Sequence, residues 1–202
     1  MPIRIEVNSR NTSAADAIRQ GAASLGISAL RGCTVTRLYF IENDLTDAEI
    51  KRLCTMLLVD PVTEQATWRS VDEPTKHGAD NEHIVEVTFR PGVTDVPARE
   101  LARGMAEIGL QGGEVVTGTR FALQGDLDAN EVRRLARQLL SNDTVQHFSL
   151  EPVIPHFGAA AEASGQVERV ELAGLSDDEL VTLSRRRLLS LDLNEMRAIR
   201  EF

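Results

Sequence analysis

Thr46-Asp47-Ala48-Glu49-Ile50-Lys51-Arg52-Leu53-Cys54-Thr55-Met56-Leu57-Leu58 decides the fold, because it carries a start signal and a period in one stretch. Thr46 followed three residues later by Glu49 is the pattern of a capping box. In it the Thr oxygen accepts from an otherwise unpaired backbone N–H, and the Glu reaches back. Ile50, Leu53, Cys54, Leu57 and Leu58 then fall at i, i+3, i+4, i+7 and i+8, which is one apolar stripe of a helix. The same text returns further on. Asp128-Ala129-Asn130-Glu131 is a second capping box, and Val132, Leu135, Ala136, Leu139 and Leu140 are a second stripe. The spacing predicts that both stripes are buried, so that an aspartate at Leu57 or Leu139 would unfold its part of the chain.

Working outward, the duplication extends on both sides of these helices. Ile3-Arg4-Ile5-Glu6-Val7 recurs as His83-Ile84-Val85-Glu86-Val87, Leu25-Gly26-Ile27 as Ile108-Gly109-Leu110, and Thr36-Arg37-Leu38-Tyr39-Phe40 as Thr119-Arg120-Phe121-Ala122-Leu123. The offset begins at 80 and settles near 83. A second helix per copy is marked by Ile18, Ala22 and Leu25 and by Leu101, Met105 and Ile108, with Gly21 and Gly104 inside. A glycine within a helix costs about 1 kcal/mol relative to alanine, so both predict a close approach by a neighbour. Runs rich in β-branched and aromatic residues predict strands over 3–8, 33–41, 62–68, 83–89, 114–123 and 145–150.

Each copy thus reads β-α-β-(β)-α-β, an α+β pattern related to the ferredoxin-like arrangement. The boundaries are a first copy over 1–68, a linker over 69–82, a second copy over 83–151, a linker over 152–174 and a helical tail over 175–202. In the tail, Ser176-Asp177-Asp178-Glu179 and Asp192-Leu193-Asn194-Glu195 open two further helices. A unit of about 70 residues is marginal alone, so the copies are expected to pack as a pseudo-twofold internal dimer, sheet on sheet or helix face on helix face.

Composition bounds the function. The 202 residues include 42% apolar and 26% charged residues, which excludes wholesale disorder. The formal charge of −9 disfavours a nucleic-acid or anionic-membrane surface. No apolar run reaches the roughly 18 residues of a membrane span, and the first residues lack the apolar stretch of a signal peptide. With two cysteines, Cys33 and Cys54, too few for a disulfide framework, the expectation is a cytoplasmic protein.

Little in the chain points to catalysis. The four histidines, His77, His83, His147 and His156, are read as solvated or half-buried, and none stands beside a cysteine or paired carboxylates at ligand spacing. Cys54 lies on the apolar stripe and Cys33 at the entry to a strand with nothing to lower its pKa. Gln111-Gly112-Gly113-Glu114 lacks the Gly-Lys-Ser/Thr of a phosphate loop and reads as a turn. Arg185-Arg186-Arg187 is read as favourable charge at a helix C-terminus. Asp44, Asp47, Glu49, Asp126, Asp128 and Glu131 recur at matching places, and capping accounts for them. No catalytic, cofactor-binding or metal-ligating residue is assigned.

Several stretches carry a resemblance. Leu53-Cys54-Thr55-Met56-Leu57-Leu58-Val59-Asp60-Pro61-Val62-Thr63-Glu64 resembles the PurS family's Cys and Leu-Leu pair followed by Asn-Pro-Val-Ile-Glu. Arg90-Pro91-Gly92-Val93-Thr94-Asp95 is similar to its Pro-Gly-Val-x-Asp, Ile108-Gly109-Leu110 to its Leu-Gly-hydrophobic turn, and Val115-Val116-Thr117-Gly118-Thr119-Arg120-Phe121 to its Val-x-x-Gly-Lys/Arg-x-aromatic strand. Leu193-Asn194-Glu195-Met196-Arg197-Ala198-Ile199 resembles the Leu-x-Leu-x-Glu-Met-Arg-Ala-Ile of the linker into the large synthase (PurL) subunit. The first copy departs from the pattern with Asn11-Thr12-Ser13 in place of Pro-Gly-Val and no glycine before Arg37. The second departs with Asn142-Asp143-Thr144-Val145.

The resemblance implies two tandem PurS-like repeats of phosphoribosylformylglycinamidine (FGAM) synthase, a de novo purine biosynthesis enzyme that uses formylglycinamide ribonucleotide, glutamine and ATP. It implies a non-catalytic assembly module that bridges a glutaminase and an ATP-dependent synthase. ATP and magnesium are then expected on the synthase part, which the resemblance places just beyond Phe202. The competing expectation is a pair of ACT-like ligand-sensing domains with a small effector at the domain interface. An independent enzyme lacks the acid and base groups it would need.

Overall fold

In the computed structural model the runs rich in β-branched and aromatic residues are strands: β1 (Ile3–Ser9), β2 (Leu30–Ile41), β3 (Glu64–Ser70), β4 (Glu82–Phe89), β5 (Val115–Gly125) and β6 (Gln146–Ser149). Residues 2–73, 81–110, 113–158, 170–187, 189 and 191–201 are described. Part of the expected linker with His77 (74–80), Gln111 and Gly112 of the expected turn, and 159–169 lie outside them. The chain divides into two units, Met1–Ala161 and Glu162–Phe202. Among the described residues no helix is long and apolar enough to cross a membrane.

The first unit is α+β. Its six strands form one antiparallel sheet in the order β3-β1-β2-β5-β4-β6, with helices α1 (Ser13–Ser24), α2 (Asp47–Leu53), α3 (Val96–Glu107) and α4 (Ala129–Leu135). The two halves of the unit meet edge to edge through β2 and β5, with Leu30 opposite Gly125 and Ile41 opposite Val115. Read from either edge, the order is the same once β4, β5 and β6 are set against β1, β2 and β3.

Both predicted capping boxes form. Thr46 accepts from the Glu49 amide at 3.3 Å and Glu49 accepts from the Thr46 amide at 2.8 Å. Asp128 and Glu131 exchange the same bonds at 2.8 and 3.0 Å. Each helix then ends in a π turn, over Cys54–Leu58 and Ala136–Leu140, closed by Val59 N–H to the Cys54 carbonyl at 2.9 Å and Ser141 N–H to the Ala136 carbonyl at 3.0 Å. The extra residue in this turn breaks the 3.6-residue period. Ile50, Leu53, Cys54 and Leu58 are buried as expected, whereas Leu57 is 40% exposed, which corrects its place on a wholly buried stripe.

Leu57 and its counterpart Leu139 instead meet the two helix glycines, as the sequence predicted for Gly21 and Gly104. A Cβ on Gly104 would lie 3.1 Å from a Leu57 methyl, and one on Gly21 would lie 2.6 Å from a Leu139 methyl. In each case the glycine and the leucine belong to different halves. The cores repeat this crossing. Ile3, Ile5, Val7, Ile41, Ile50 and Leu53 of the first half pack with Leu101, Met105 and Leu110 of the second. Val85, Val87, Phe121, Leu123, Val132 and Leu135 of the second half pack with Ala22, Ile27 and Leu30 of the first. Helices α1 and α3 are therefore exchanged between the halves, each closing the other half's core.

One register expectation is corrected. The core on the first half takes Tyr39 and Ile41 from β2, and the other takes Phe121 and Leu123 from β5. The equivalent residues are thus 82 apart, not 83. Matching Thr36-Arg37 to Thr119-Arg120 slips the strand by one residue, and a one-residue slip puts every side chain on the wrong face. With Leu53 fully buried, Leu53→Asp is expected to abolish the cooperative thermal melt, whereas Arg186→Ala, exposed on the tail, changes stability by no more than about 0.5 kcal/mol.

The second unit is a helical hairpin, α5 (Asp177–Arg187) and α6 (Leu193–Glu201), around Leu180, Leu183 and Met196. Ser184 Oγ donates to the Leu191 carbonyl at 2.8 Å and fixes the connection. Arg185, Arg186 and Arg187 occupy the last turn of α5, where cations oppose the helix dipole. The hydrogen bond from Arg197 holds the Asp177 carboxyl below its ordinary range. A carboxylate depressed in the folded state stabilises above its unfolded pKa, and that stability is lost as pH falls through the folded value. Asp177→Asn is therefore expected to loosen the hairpin at neutral pH and to remove part of its unfolding below about pH 4, read by helical circular dichroism.

Candidate functional site

Two polar assemblies stand out, one on the sheet face opposite the helices and one beside α3. The first is set by alternation along β1, where Ile3, Ile5 and Val7 turn to the helices and Arg4 and Glu6 turn away. Arg4, 1% exposed, lies over the Phe40 ring at 5.3 Å and donates to both carboxylate oxygens of Glu86 at 3.0 and 2.5 Å. β1 and β4 are separated by β2 and β5, three strand spacings or about 14 Å, so the pair clamps the two halves across their seam. Gly118 of β5, opposite Leu38 of β2, carries no side chain on this face, and a Cβ there would lie 2.8 Å from the Val87 carbonyl. Arg4 also donates to Glu6 at 2.6 Å, and Arg120 of β5 bonds Glu6 at 3.3 Å and lies 3.4 Å from Glu86. Burial alone would lower the Arg4 guanidinium, but the bond and charge of Glu86, followed by those of Glu6, raise it above its ordinary value. Glu86 accepts a further bond from the Val153 backbone N–H at 2.7 Å, anchoring the strap of residues 152–158.

The second assembly is a cleft of about 830 Å³ in the second half, between the loop after β4, α3, the start of β5 and that strap. Arg90-Pro91-Gly92-Val93 is a tight turn, closed by Val93 N–H to the Arg90 carbonyl at 3.1 Å, with Gly92 at φ +85° as proline-glycine turns require. Asp95 caps α3. Its carboxylate accepts from the Ala98 amide at 2.9 Å, the Thr117 amide at 2.7 Å and the Thr117 hydroxyl at 2.8 Å, tying helix to strand. The first half solves the same corner differently: Asn11 Oδ1 accepts from the Ser13 amide at 2.9 Å, and Thr12 caps α1 without a side-chain bond.

His147 and His156, set apart in the sequence, both line this cleft. His147 is half-buried with Nε2 3.2 Å from the Thr88 hydroxyl, and His156 is exposed. His83 is half-buried on β4, away from both. Cys33 and Cys54 do not approach one another as a reactive pair: they pack in different cores, and burial pushes each thiol up to about 11. Thiols held there are protonated and poor nucleophiles at neutral pH. Asp44, Asp47, Glu49, Asp126, Asp128 and Glu131 do not line the cleft. Gly113 does, and a Cβ there would collide with the Glu42 carbonyl. Among the described residues no three His, Cys, Asp or Glu side chains group as metal ligands.

No family model matches the chain, and no curated protein matches it. In the clamp Glu86 is fully buried and Arg4 nearly so, although Arg4 reaches the wall of a smaller pocket of about 360 Å³ with Arg69 and Val153. The cleft offers apolar walls, two arginines and two imidazoles. Residues 90–95 were visible in the sequence as a motif, but nothing in it joined them to His147 or to the strap. That union depends on β4 lying between β5 and β6.

Proposed function

We propose that the chain is a non-catalytic assembly module of FGAM synthase, two PurS-like repeats joined as an internal dimer with pseudo-twofold symmetry, which bridges the glutaminase and the ATP-dependent synthase. The observation that carries this reading is the exchange of α1 and α3. Each half completes its core with the other half's helix, and a buried Arg4–Glu86 pair crosses the seam, so the halves move as one rigid body. Such a body presents two similar outer surfaces at fixed separation, which suits holding two larger proteins in register. The PurS-like motifs support the same reading: Asp95 of Pro-Gly-Val-x-Asp and Gly118 of the glycine strand sit where α3 and β4 press on β5.

The ACT-like reading draws on the cleft. Such pairs hold their effector at the boundary between domains, and the cleft does touch that boundary, because α3 and Val115 on its wall also pack with the first half's core. The exchange of α1 and α3, which joins the halves through their cores, favours the assembly reading. Co-purification with the synthase and glutaminase of the same source is the test, with and without glutamine and ATP. A ternary complex is expected. No association under either condition overturns the proposal, and specific thermal stabilisation by one metabolite without partners favours sensing instead.

A further inference from the structure

We propose that the cleft beside α3 binds a small organic acid, an apolar or planar body carrying one carboxylate, phosphate or sulfonate group. Its volume of about 830 Å³ falls in the range of small-molecule sites. The walls are Phe89, Val93, Ala98, Ala102, Val115 and Val116, apolar surface suited to the body of such a ligand. The polar groups stand at separate places: the Thr88–His147 pair, and the guanidinium groups of Arg90 and Arg99 with His156. Arg90 donates through Nε to the Asp143 carbonyl at 3.1 Å, and neither arginine forms an ion pair among the described residues, although the chain is acidic overall. Of the two acids on the lining, Asp95 is committed to the α3 cap and to Thr117, which leaves Glu114.

The cleft is also more than the fold requires. The two cores share most of their strand and capped-helix positions, yet the Pro91-Gly92 turn and the Asp95 bonds to Thr117 belong to the second half alone. The strap places Ile154, 77% exposed, at the cleft wall, while Pro155 is buried and Val153 is tied to Glu86. An apolar side chain held in solvent by two anchored neighbours is positioned to close over an apolar ligand body. This site stands whether or not the chain bridges a synthase, because binding is read on the chain alone.

The test is a fluorescence titration with 8-anilinonaphthalene-1-sulfonate, an apolar bicycle with one anion, beside the uncharged N-phenyl-1-naphthylamine. One saturable site for the sulfonate is expected, with the neutral dye at least about tenfold weaker. Arg99→Glu weakens the sulfonate about tenfold or more and Ala102→Trp, which fills the cleft, removes the site, while Arg52→Glu on α2 leaves it unchanged. Circular dichroism confirms that each variant is folded, and Arg90→Glu replaces any that is not. No saturable site, equal binding of the two dyes, or affinity within about twofold of the parent in the charge-reversal or the filling variant overturns the proposal.

Discussion

Glu86→Ala is expected to destabilise the first unit by about 3 to 5 kcal/mol, the usual loss when one partner of a buried ion pair is removed. The magnitude follows from what remains. Arg4 stays at 1% exposure with only Glu6 left as a carboxylate partner, and a buried guanidinium that loses its larger partner cannot recover its hydration. The Val153 amide loses its acceptor at the same stroke, and Arg120 loses one of its two carboxylates. Against a typical total stability of about 5 to 15 kcal/mol this is a large fraction, and it corresponds to a melting point lower by roughly 10 °C. The double replacement Arg4→Met with Glu86→Leu removes both charges together and is expected to cost much less than Glu86→Ala. Equal loss in the single and double variants would show that the charges do not act as a pair.

The second large effect comes from cutting the chain. Polypeptides covering 1–73 and 81–161, made separately, are expected not to fold as monomers, because each lacks the helix that closes its core. The first would leave Ile5, Leu53 and Ile41 without Met105 and Leu101, and the second would leave Val85, Leu123 and Leu135 without Ala22 and Ile27. Mixing supplies each missing helix in trans. A cooperative melt and a one-to-one complex are then expected, seen by circular dichroism and analytical ultracentrifugation. Monomeric halves that melt cooperatively alone would contradict the exchange.

Much of this arrangement was legible in the residues, for identifiable reasons. Capping boxes are local: Thr46 with Glu49 and Asp128 with Glu131 depend on neighbours three positions away, and both formed. Strands carried by β-branched and aromatic runs formed within about three residues of their expected ends. The equivalence of β2 with β5 in the two copies was misread by one residue because Thr36-Arg37 and Thr119-Arg120 match as letters, while the core matches Tyr39 with Phe121. The face, with its period of two, is the physical criterion. Gly21 and Gly104 announced close contacts without saying which helix would make them. The π turns left no signal, since they depend on which carbonyl captures the Val59 and Ser141 amides. The clamp was invisible because Arg4 and Glu86 are 82 positions apart, and the cleft because it gathers residues from three strands, one helix and a strap.

The most constrained charges, Arg4 and Glu86, are consumed in holding two halves together and are closed to solvent. Cys54 is buried and Cys33 half-buried, and burial pushes both thiols up to about 11. What the first unit presents outward includes the outer faces of its helices and the cleft beside α3.

Reconstitution of glutamine-dependent amidine formation tests the central claim most directly. The synthase and glutaminase of the same source are supplied with formylglycinamide ribonucleotide, glutamine and ATP, with and without this chain, and the chain is also assayed alone for ammonia release. Amidine formation that depends on adding the chain, which by itself releases no ammonia, is the predicted result. Ammonia released by the chain alone, or amidine formation indifferent to its presence, would contradict the account.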